Sequence, residues 1–334
     1  MSGLPARVRL LEGFSDPGMN GPQWNALLGQ GSSNTVFLTW QYQKAWWDSF
    51  GRGKLLLLAA ERGGRTVLIA PLFWDGGMVF LVGSGGSDYL GFVGAAEDAE
   101  AMVAVLGAAR ELSPEFLGFR FYHMPDTSSA DSTLHQAARA LGMYVCDEGE
   151  LPAPRLVFDA GSSSAAAVAS KKSLVRHENG LRRGGRLEFV HTNSAGETAR
   201  WLEGFFEQHI GRWSSTPDPS LFRDERQRRF YRTLAAVGAE AGWLRFAALV
   251  WEGSPVAFHY GFHYAGEYLW YKPSFEKDLA RLSPGEALLR RLLLAAAGEG
   301  ARVFDFGLGD EPFKRRFCNA IRVVRTWGMY PRGD

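Results

Sequence analysis

The feature that most constrains this chain is a set of three apolar runs separated by two-residue breaks, and it occurs twice. Residues 243–251, 255–264 and 267–271 are parted by Glu252-Gly253 and Ala265-Gly266. Two-residue breaks ending in glycine are hairpin signals, so these runs predict an antiparallel meander. Before it, 186–192 alternates as a strand, and 198–212 and 223–241 show helical spacing. After it come a helix over 284–297, a strand over 302–306, a short helix over 311–317 and a strand over 321–329. The first half repeats this βααβββαβαβ order more loosely. A strand at 7–11 and helices at 23–28 and 40–50 precede a meander of 54–61, 65–74 and 78–82, broken at Gly63-Gly64 and Gly76-Gly77. A helix (99–111), a strand (117–122), a helix (132–141) and a strand (143–146) complete it.

A Pro-containing joint at 151–154, followed by residues 155–159 and a linker-like stretch at 161–164, puts the boundary between the halves near 150–160. The expected domains are therefore 1–155 and 156–334, which suits a length of 334 residues. With 46% hydrophobic and 22% charged residues, the chain falls in the globular class and not the disordered one. No run approaches the ~18 apolar residues of a membrane span, and residues 1–12 lack a signal-peptide pattern. Cys146 and Cys318 form no CxxC pair, which argues against a disulfide scaffold or zinc knuckle and for a reducing, cytoplasmic setting.

The net charge of +1 hides an asymmetry. Residues 1–155 carry 11 Lys/Arg against 16 Asp/Glu, and residues 156–334 carry 26 against 20. Anionic partners are expected at the second half. Arginine outnumbers lysine 30 to 7, so a lysine is the more informative cation in this chain. The densest basic stretch, 170–186, holds Lys171, Lys172, Arg176, Arg182, Arg183 and Arg186 against Glu178 alone. As a helix it would set Lys172, Arg176, Asn179 and Arg183 on one face and Leu174 and Leu181 on another. That face reads either as a solvated surface or as a phosphate clamp.

Other candidates come from local chemistry. Arg281-Leu282-Ser283-Pro284-Gly285-Glu286 reads as a helix start, with Ser283 as N-cap, Pro284 at the first position and Glu286 closing a capping box. Asp305 lies in an apolar strand and needs a partner cation, for which Lys314 and Arg316 are candidates. His259 and His263 share a strand face with Gly261, and the candidate base is Asp305 or His259, acting directly or through water. Tyr271 is either a proton donor or a core residue. There is no GxSxG elbow, HExxH pair or Walker A lysine, no third metal ligand is evident, and Gly83–Ser87 reads as a flexible turn.

His209-Ile210-Gly211-Arg212-Trp213, the Arg281–Glu286 segment, and Asp305-Phe306-Gly307 followed by Glu311–Phe317 together resemble a bacterial family of tandem GNAT-fold acyltransferases. It is named after cellulose-biosynthesis (CelD/BcsL-like) acetyltransferases and is related to Fem-type peptidoglycan aminoacyltransferases. Trp40, Trp46-Trp47 and Asp88-Tyr89 carry the likeness into the first half. The resemblance implies an α/β (α+β) chain of two tandem GNAT-like domains, each a mixed, mostly antiparallel sheet flanked by helices. It implies a donor site in the second domain, with Arg281, Ser283, Gly285 and Glu286 near the pyrophosphate of acyl-CoA, acetyl or longer. Pro284 departs from the usual glycine there. Asp305, Lys314, His259 and Tyr271 become catalytic candidates. Asp88, Tyr89, Lys172, Arg176, Arg183, His209 and Arg212 become substrate-binding candidates.

The expected reaction is acyl transfer from acyl-CoA to a small-molecule amine without a metal, with a backbone amide of the strand at 267–271 facing the oxyanion. A Fem-like, aminoacyl-tRNA-dependent transferase and a non-catalytic binding protein of an exopolysaccharide pathway are the alternatives. DNA is not an expected partner.

Overall fold

The computed structural model describes residues 6–126, 130–159, 163–214 and 216–332. In chain order the elements are β1 (Arg7–Leu10), α1 (Gly21–Leu28), α2 (Trp40–Phe50), β2 (Lys54–Arg62), β3 (Arg65–Asp75), β4 (Met78–Leu81), β5 (Val93–Gly94), α3 (Ala99–Glu111), β6 (Gly118–Pro125), α4 (Ala130–Ala140) and β7 (Met143–Val157). Then follow α5 (Ser163–Ala169), α6 (Lys172–Gly184), β8 (Leu187–Thr192), α7 (Ala195–Trp213), α8 (Glu225–Glu240), β9 (Leu244–Trp251), β10 (Ser254–Tyr264), β11 (Glu267–Phe275), α9 (Pro284–Gly298), β12 (Val303–Asp305), α10 (Pro312–Arg315) and β13 (Ala320–Pro331).

The chain divides into two compact units, Met1–Pro152 with Arg322–Asp334, and Ala153–Ile321. The sequence places the last strand with the second half; its residues from Arg322 onward instead lie in the first unit, where β13 pairs antiparallel with β6. The proline joint at 151–154 does not break the chain's extension either, because β7 runs through Pro152 and Pro154 to Val157. Of the expected linker at 161–164, residues 161 and 162 lie outside the described residues, and Ser163 and Ser164 already belong to α5.

In the first unit the strand order is β1-β2-β3-β4-β6-β13-β7, with β5 on β3. Here β4 and β6 run parallel. The core is the inner face of β2, β3 and β6 under α3 and α4, built on Leu56, Leu68, Leu72, Met102, Leu106 and Leu134. In the second unit the end of β7 is followed by β12-β11-β10-β9-β8, antiparallel except for β11 and β12. Leu174, Leu181, Leu288, Leu292 and Phe304 pack its core against α6 and α9. All four meander breaks have both residues at positive φ, including the non-glycine Glu252 (48°) and Ala265 (50°). That conformation, required by a type I′ turn, matches the twist of the flanking strands.

Candidate functional site

The second unit's sheet opens at one place. Strand β12 pairs with β11 only from Glu267–Val303 to Leu269–Asp305. Beyond Asp305 the chain turns away, the Phe306 amide donating to the Pro154 carbonyl, while β11 runs on to Phe275. The two parallel strands stop pairing there. On its other side β11 carries one extra residue against β10, since Leu269 opposes Phe262 and Lys272 opposes Tyr260. Such a bulge re-aims local backbone groups. The Tyr271 amide donates to Nε2 of His259 at 3.3 Å. Gly261 makes room for this imidazole, because a Cβ would lie 2.2 Å from the His259 ring and 2.3 Å from the Leu269 carbonyl.

His259 is fully buried, stacked on Trp270 at 4.9 Å, and its Nδ1 has no hydrogen-bond partner. Burial, reinforced by His191, holds its pKa at about 3. The expectation of a base is corrected accordingly: this imidazole stays neutral and its acceptor nitrogen is already engaged. The expected oxyanion strand is corrected in part as well, since the Tyr271 amide is bound inside the protein. The Tyr271 ring lies in the core against Phe262 (5.2 Å) and Tyr231 (6.2 Å), with the Lys272 ammonium 4.4 Å from its centre.

Asp305 is buried at the end of β12. Its Oδ1 accepts from the Gly307 amide at 2.8 Å, and Oδ2 lies 3.5 Å from Nε of Arg155, which also pairs with Glu267. The expected partners Lys314 and Arg316 are engaged elsewhere. Lys314, itself buried, pairs with Glu311 at 2.8 Å and donates to the Leu308 carbonyl, so the loop after β12 closes around it. Arg316 pairs with Glu286 at 2.9 Å.

The start of α9 also differs from expectation. Pro284 takes the first helical position, but Ser283 is left-handed (φ 51°) and makes no side-chain cap. Its carbonyl accepts from the amides of Glu286 (3.1 Å) and Ala287 (3.2 Å). The capping box is absent because the Glu286 carboxylate turns to His177 Nδ1 (3.1 Å) and Arg316. Arg281 is exposed in the turn just before, and the Gly285 backbone follows Pro284.

The basic stretch is helical, as the charge pattern required. Lys172, Arg176, Asn179 and Arg183 face solvent, while Leu174 and Leu181 are buried. Glu178, the lone acid in that stretch, is the residue whose importance sequence reasoning missed. It is 3% exposed and bound by Arg182, Arg290 and Arg291, pinning α6 to α9. Burial raises its pKa, and the bonds from Arg182 and Arg291 more than reverse this, so the net shift is downward. The signal was available: a single acid at i, i+4 from an arginine on the face between two leucines.

At the end of α7, His209 is buried, with Nδ1 2.8 Å from Ser220 Oγ. Burial, then Lys272 and Arg212, lower its pKa to about 3. Arg212 lies between the rings of Phe275 (4.4 Å) and Trp213 (5.3 Å) and donates to the Pro273 carbonyl at 2.9 Å. Burial lowers its pKa and Glu311 opposes this, so the Arg212 guanidinium and the Glu311–Lys314 pair share one neighbourhood at the end of β11. The structure thus gathers His209, Arg212, Tyr271, Lys272 and Lys314, and sets Arg281, Ser283, Gly285 and Glu286 at α9.

Asp88 and Tyr89 lie in the first unit, in the loop after β4. Tyr89 is buried edge-on to Phe37, with Arg322 over its ring at 5.1 Å. At the opposite end of β11, the second unit holds a further polar cavity of about 580 Å³. There Glu299 binds Arg245 (2.6 Å), His263 (3.0 Å) and His191 (3.5 Å). Among the described residues no group of three His, Cys, Asp or Glu is arranged to hold a metal ion, and no helix is long and apolar enough to cross a membrane.

Residues 169–315 match the family described as an acetyltransferase (GNAT) domain. No curated protein sequence matches the chain. Among solved structures it is similar to FemX (TM-score 0.67, 10% identity, covering 94% of this chain and 96% of that one). It is also similar to a tandem GNAT protein from the clavulanic acid biosynthesis pathway (0.55, 13%, 98% and 100%). A third is L-PGS from Bacillus licheniformis (0.54, 14%, 87% and 91%). At these identities the likeness is one of fold: two tandem GNAT-like domains, each a mixed, mostly antiparallel sheet flanked by helices.

Proposed function

We propose that the second unit transfers an acyl group from acyl-CoA, acetyl or longer, to an amine on a small molecule such as an amino sugar, an amino acid or an envelope-pathway amine. One observation carries the reading: β11 and β12 part beyond Leu269 and Asp305, next to a bulge and the start of α9, within the segment that matches the acetyltransferase domain. Such a slot admits a thioester edge-on between two strands. The amine nitrogen attacks the carbonyl carbon, the C–S bond breaks, and the thiolate leaves. The amine must be neutral to attack. His209 and His259, both near 3, are too weak to take its proton at neutral pH, so the proton passes to water at the slot mouth. In this reading Lys314 presents a cation to the donor or the developing oxyanion. Asp305 with Arg155, and His259 through the Tyr271 amide, act as positioning residues, and Tyr271 contributes its backbone, not its phenol. The boundary near 150–160, a cytoplasmic setting, an envelope or exopolysaccharide role and kinship with the CelD/BcsL-like branch belong to the same proposal. The motifs at 209–213, 281–285 and 305–317 support it.

A second reading has its own support. Pro284 offers no N–H, the Glu286 and Ala287 amides are bound to the Ser283 carbonyl, and Glu286 puts a carboxylate where a pyrophosphate would come. The exposed Lys172, Arg176 and Arg183 suit a nucleic-acid backbone, so aminoacyl-tRNA is the alternative donor. Thiol release and thermal shift with acetyl-CoA, a long-chain acyl-CoA and aminoacyl-tRNA separate the two. A stabilising shift and amine-dependent thiol release with an acyl-CoA are expected. A shift with aminoacyl-tRNA alone overturns the first reading in favour of the second, and no response to any donor leaves a non-catalytic binding role.

A further inference from the structure

Of the cations crowded into residues 170–186, the fold engages only some. Lys171 donates to the Arg316 carbonyl, Arg182 pairs with Glu178, and Arg186 pairs with Glu188. Lys172, Arg176 and Arg183 are exposed, and none of them enters an ion pair among the described residues. With Asn179 they form one strip along α6, about 16 Å long at the rise of an α-helix. The strip is firmly seated, because Leu174 and Leu181 are buried and Glu178 ties α6 to Arg290 and Arg291 of α9. Its charges do nothing for their own helix. The first turn of α6 holds no acid, its start has no side-chain cap, and Lys171 and Lys172 sit at the positive end of the helix dipole. Charges that work against their own helix are expected where a partner compensates them.

The strip begins beside the start of α9. His177 lies 3.4 Å from Arg176 and binds Glu286, in the first turn of α9, at 3.1 Å. That start is poorly equipped for a diphosphate, as Pro284 has no N–H and the Glu286 and Ala287 amides are bound to the Ser283 carbonyl. Free coenzyme A brings a diphosphate and a further phosphate. A phosphopantetheine arm on a protein brings a lone phosphodiester, and the protein carries the rest of its charge elsewhere.

We propose that the α6 strip docks a small acidic carrier protein, which presents the acyl group as a thioester on a phosphopantetheine arm. Acids spaced one and two turns apart on a carrier helix would face Lys172, Arg176 and Arg183. For an RNA backbone, three cations on one helix face neutralise few phosphates, and α6 offers no Phe, Tyr or Trp for base stacking. A lipid surface fits less well too, since the apolar side of α6 is buried and leaves nothing to insert. The proposal rests on the acyltransfer reading for its reaction. The amine attacks the thioester carbon, the C–S bond breaks, the thiolate stays on the carrier's arm, and the amine proton passes to water. Docking itself needs no turnover.

Calorimetric titration of the full chain with a small acidic acyl carrier protein, in apo, holo, acetyl and palmitoyl forms, tests the docking. Micromolar binding is expected, weakened about tenfold when salt is raised to about 0.3 M. Lys172→Glu combined with Arg176→Glu and Arg183→Glu is expected to weaken it about tenfold or more. The same charge change at exposed positions on and between α7 and α8, Arg200→Glu with Arg223→Glu and Arg229→Glu, is expected to alter it less than about twofold. The α6 variant is expected to melt within a few degrees of the parent; if it does not, Lys172→Gln with Arg176→Gln and Arg183→Gln reads the same loss. In turnover, the acyl carrier protein is expected to exceed the matching acyl-CoA about tenfold in kcat/KM, and the α6 variant to bring that ratio near one. Several results overturn the proposal: no binding of any carrier form, binding that the α6 variant retains, an equal loss in the α7–α8 control, or a ratio near one in the parent. Capture of RNA or of phosphatidylglycerol vesicles through α6, without carrier binding, overturns it as well. Carrier binding that depends on α6, with no turnover of carrier-borne or free thioester, upholds the surface and sinks only the acyltransfer reading.

Discussion

The two units share an element order but treat the gap beside their parallel strands in opposite ways. In the second unit β12 stops at Asp305, and the chain beyond β11 moves off into the turn at 277–282 and α9. In the first, β6 runs on past its parallel partner β4, and the loop after β4 folds back on it. The Leu90 amide donates to the His123 carbonyl (2.9 Å), His123 Nδ1 meets the Ser87 carbonyl (2.8 Å), and Phe80 stacks on Tyr122. One unit packs its own aromatic and loop atoms beside its parallel pair; in the other the parallel strands stop pairing at Leu269 and Asp305. Duplicated architecture therefore does not duplicate chemistry. What decides is how far one strand continues and where the following loop goes.

The difference can be tested, beginning with the largest effect. His209 and His259 stay neutral in the folded protein down to about pH 3, whereas an unfolded histidine takes a proton near 6.5. Their contribution is complete above pH 6.5 and is lost as pH falls toward 3, about 4 kcal/mol for each if the fold persists that far. Glu299, held at about 2 by His263 and Arg245 against the opposing effect of burial, adds a loss between pH 4.5 and 2. Acid titration followed by residue-resolved hydrogen exchange should therefore show the second unit opening first, and simultaneous opening of both units would blur the contrast. Next, Glu178→Ala should cost about 2–3 kcal/mol in denaturant unfolding, since α6, which has no counterpart before β1 among the described residues, loses its tie to α9. Lys314→Ala should lower kcat/KM by ~10²-fold, close to 3 kcal/mol of transition-state stabilisation. Near-normal turnover with a lowered melting point would make Lys314 structural. Gly261→Ala should cost about 1–3 kcal/mol and release the Tyr271 amide to exchange. Smallest, Ser87→Ala in the filled gap should cost about 1 kcal/mol, for its bond to Tyr42, and leave turnover unchanged. Loss of turnover there would place chemistry in the first unit after all.

Much of this was legible in the sequence because it is local. Two-residue breaks and alternating apolar runs act through neighbours within a few positions. The tandem order and the helical basic stretch follow from them. The misreadings are non-local. Asp305 finds Arg155 and not Lys314 because β12 is laid against β7, a pairing that no spacing reveals. Glu286 abandons the cap of its own helix for His177 and Arg316, which tertiary packing brings up. The two faces of β10 could be read from alternation, but not that Gly261 clears space for an imidazole reaching over to the neighbouring strand.

The position of β13 has a consequence for synthesis. It supplies the strand between β6 and β7 in the first unit, yet it is made after every residue of the second. On the ribosome, the unit begun first therefore waits for its middle strand while the unit begun second has all its parts. The nascent chain carries β6 and β7 with exposed edges until β13, Ala320–Pro331, emerges. The expected order of maturation is inverted relative to the order of translation. A short C-terminal deletion should strike the amino-terminal sheet, and leave the slot-bearing unit the first to mature.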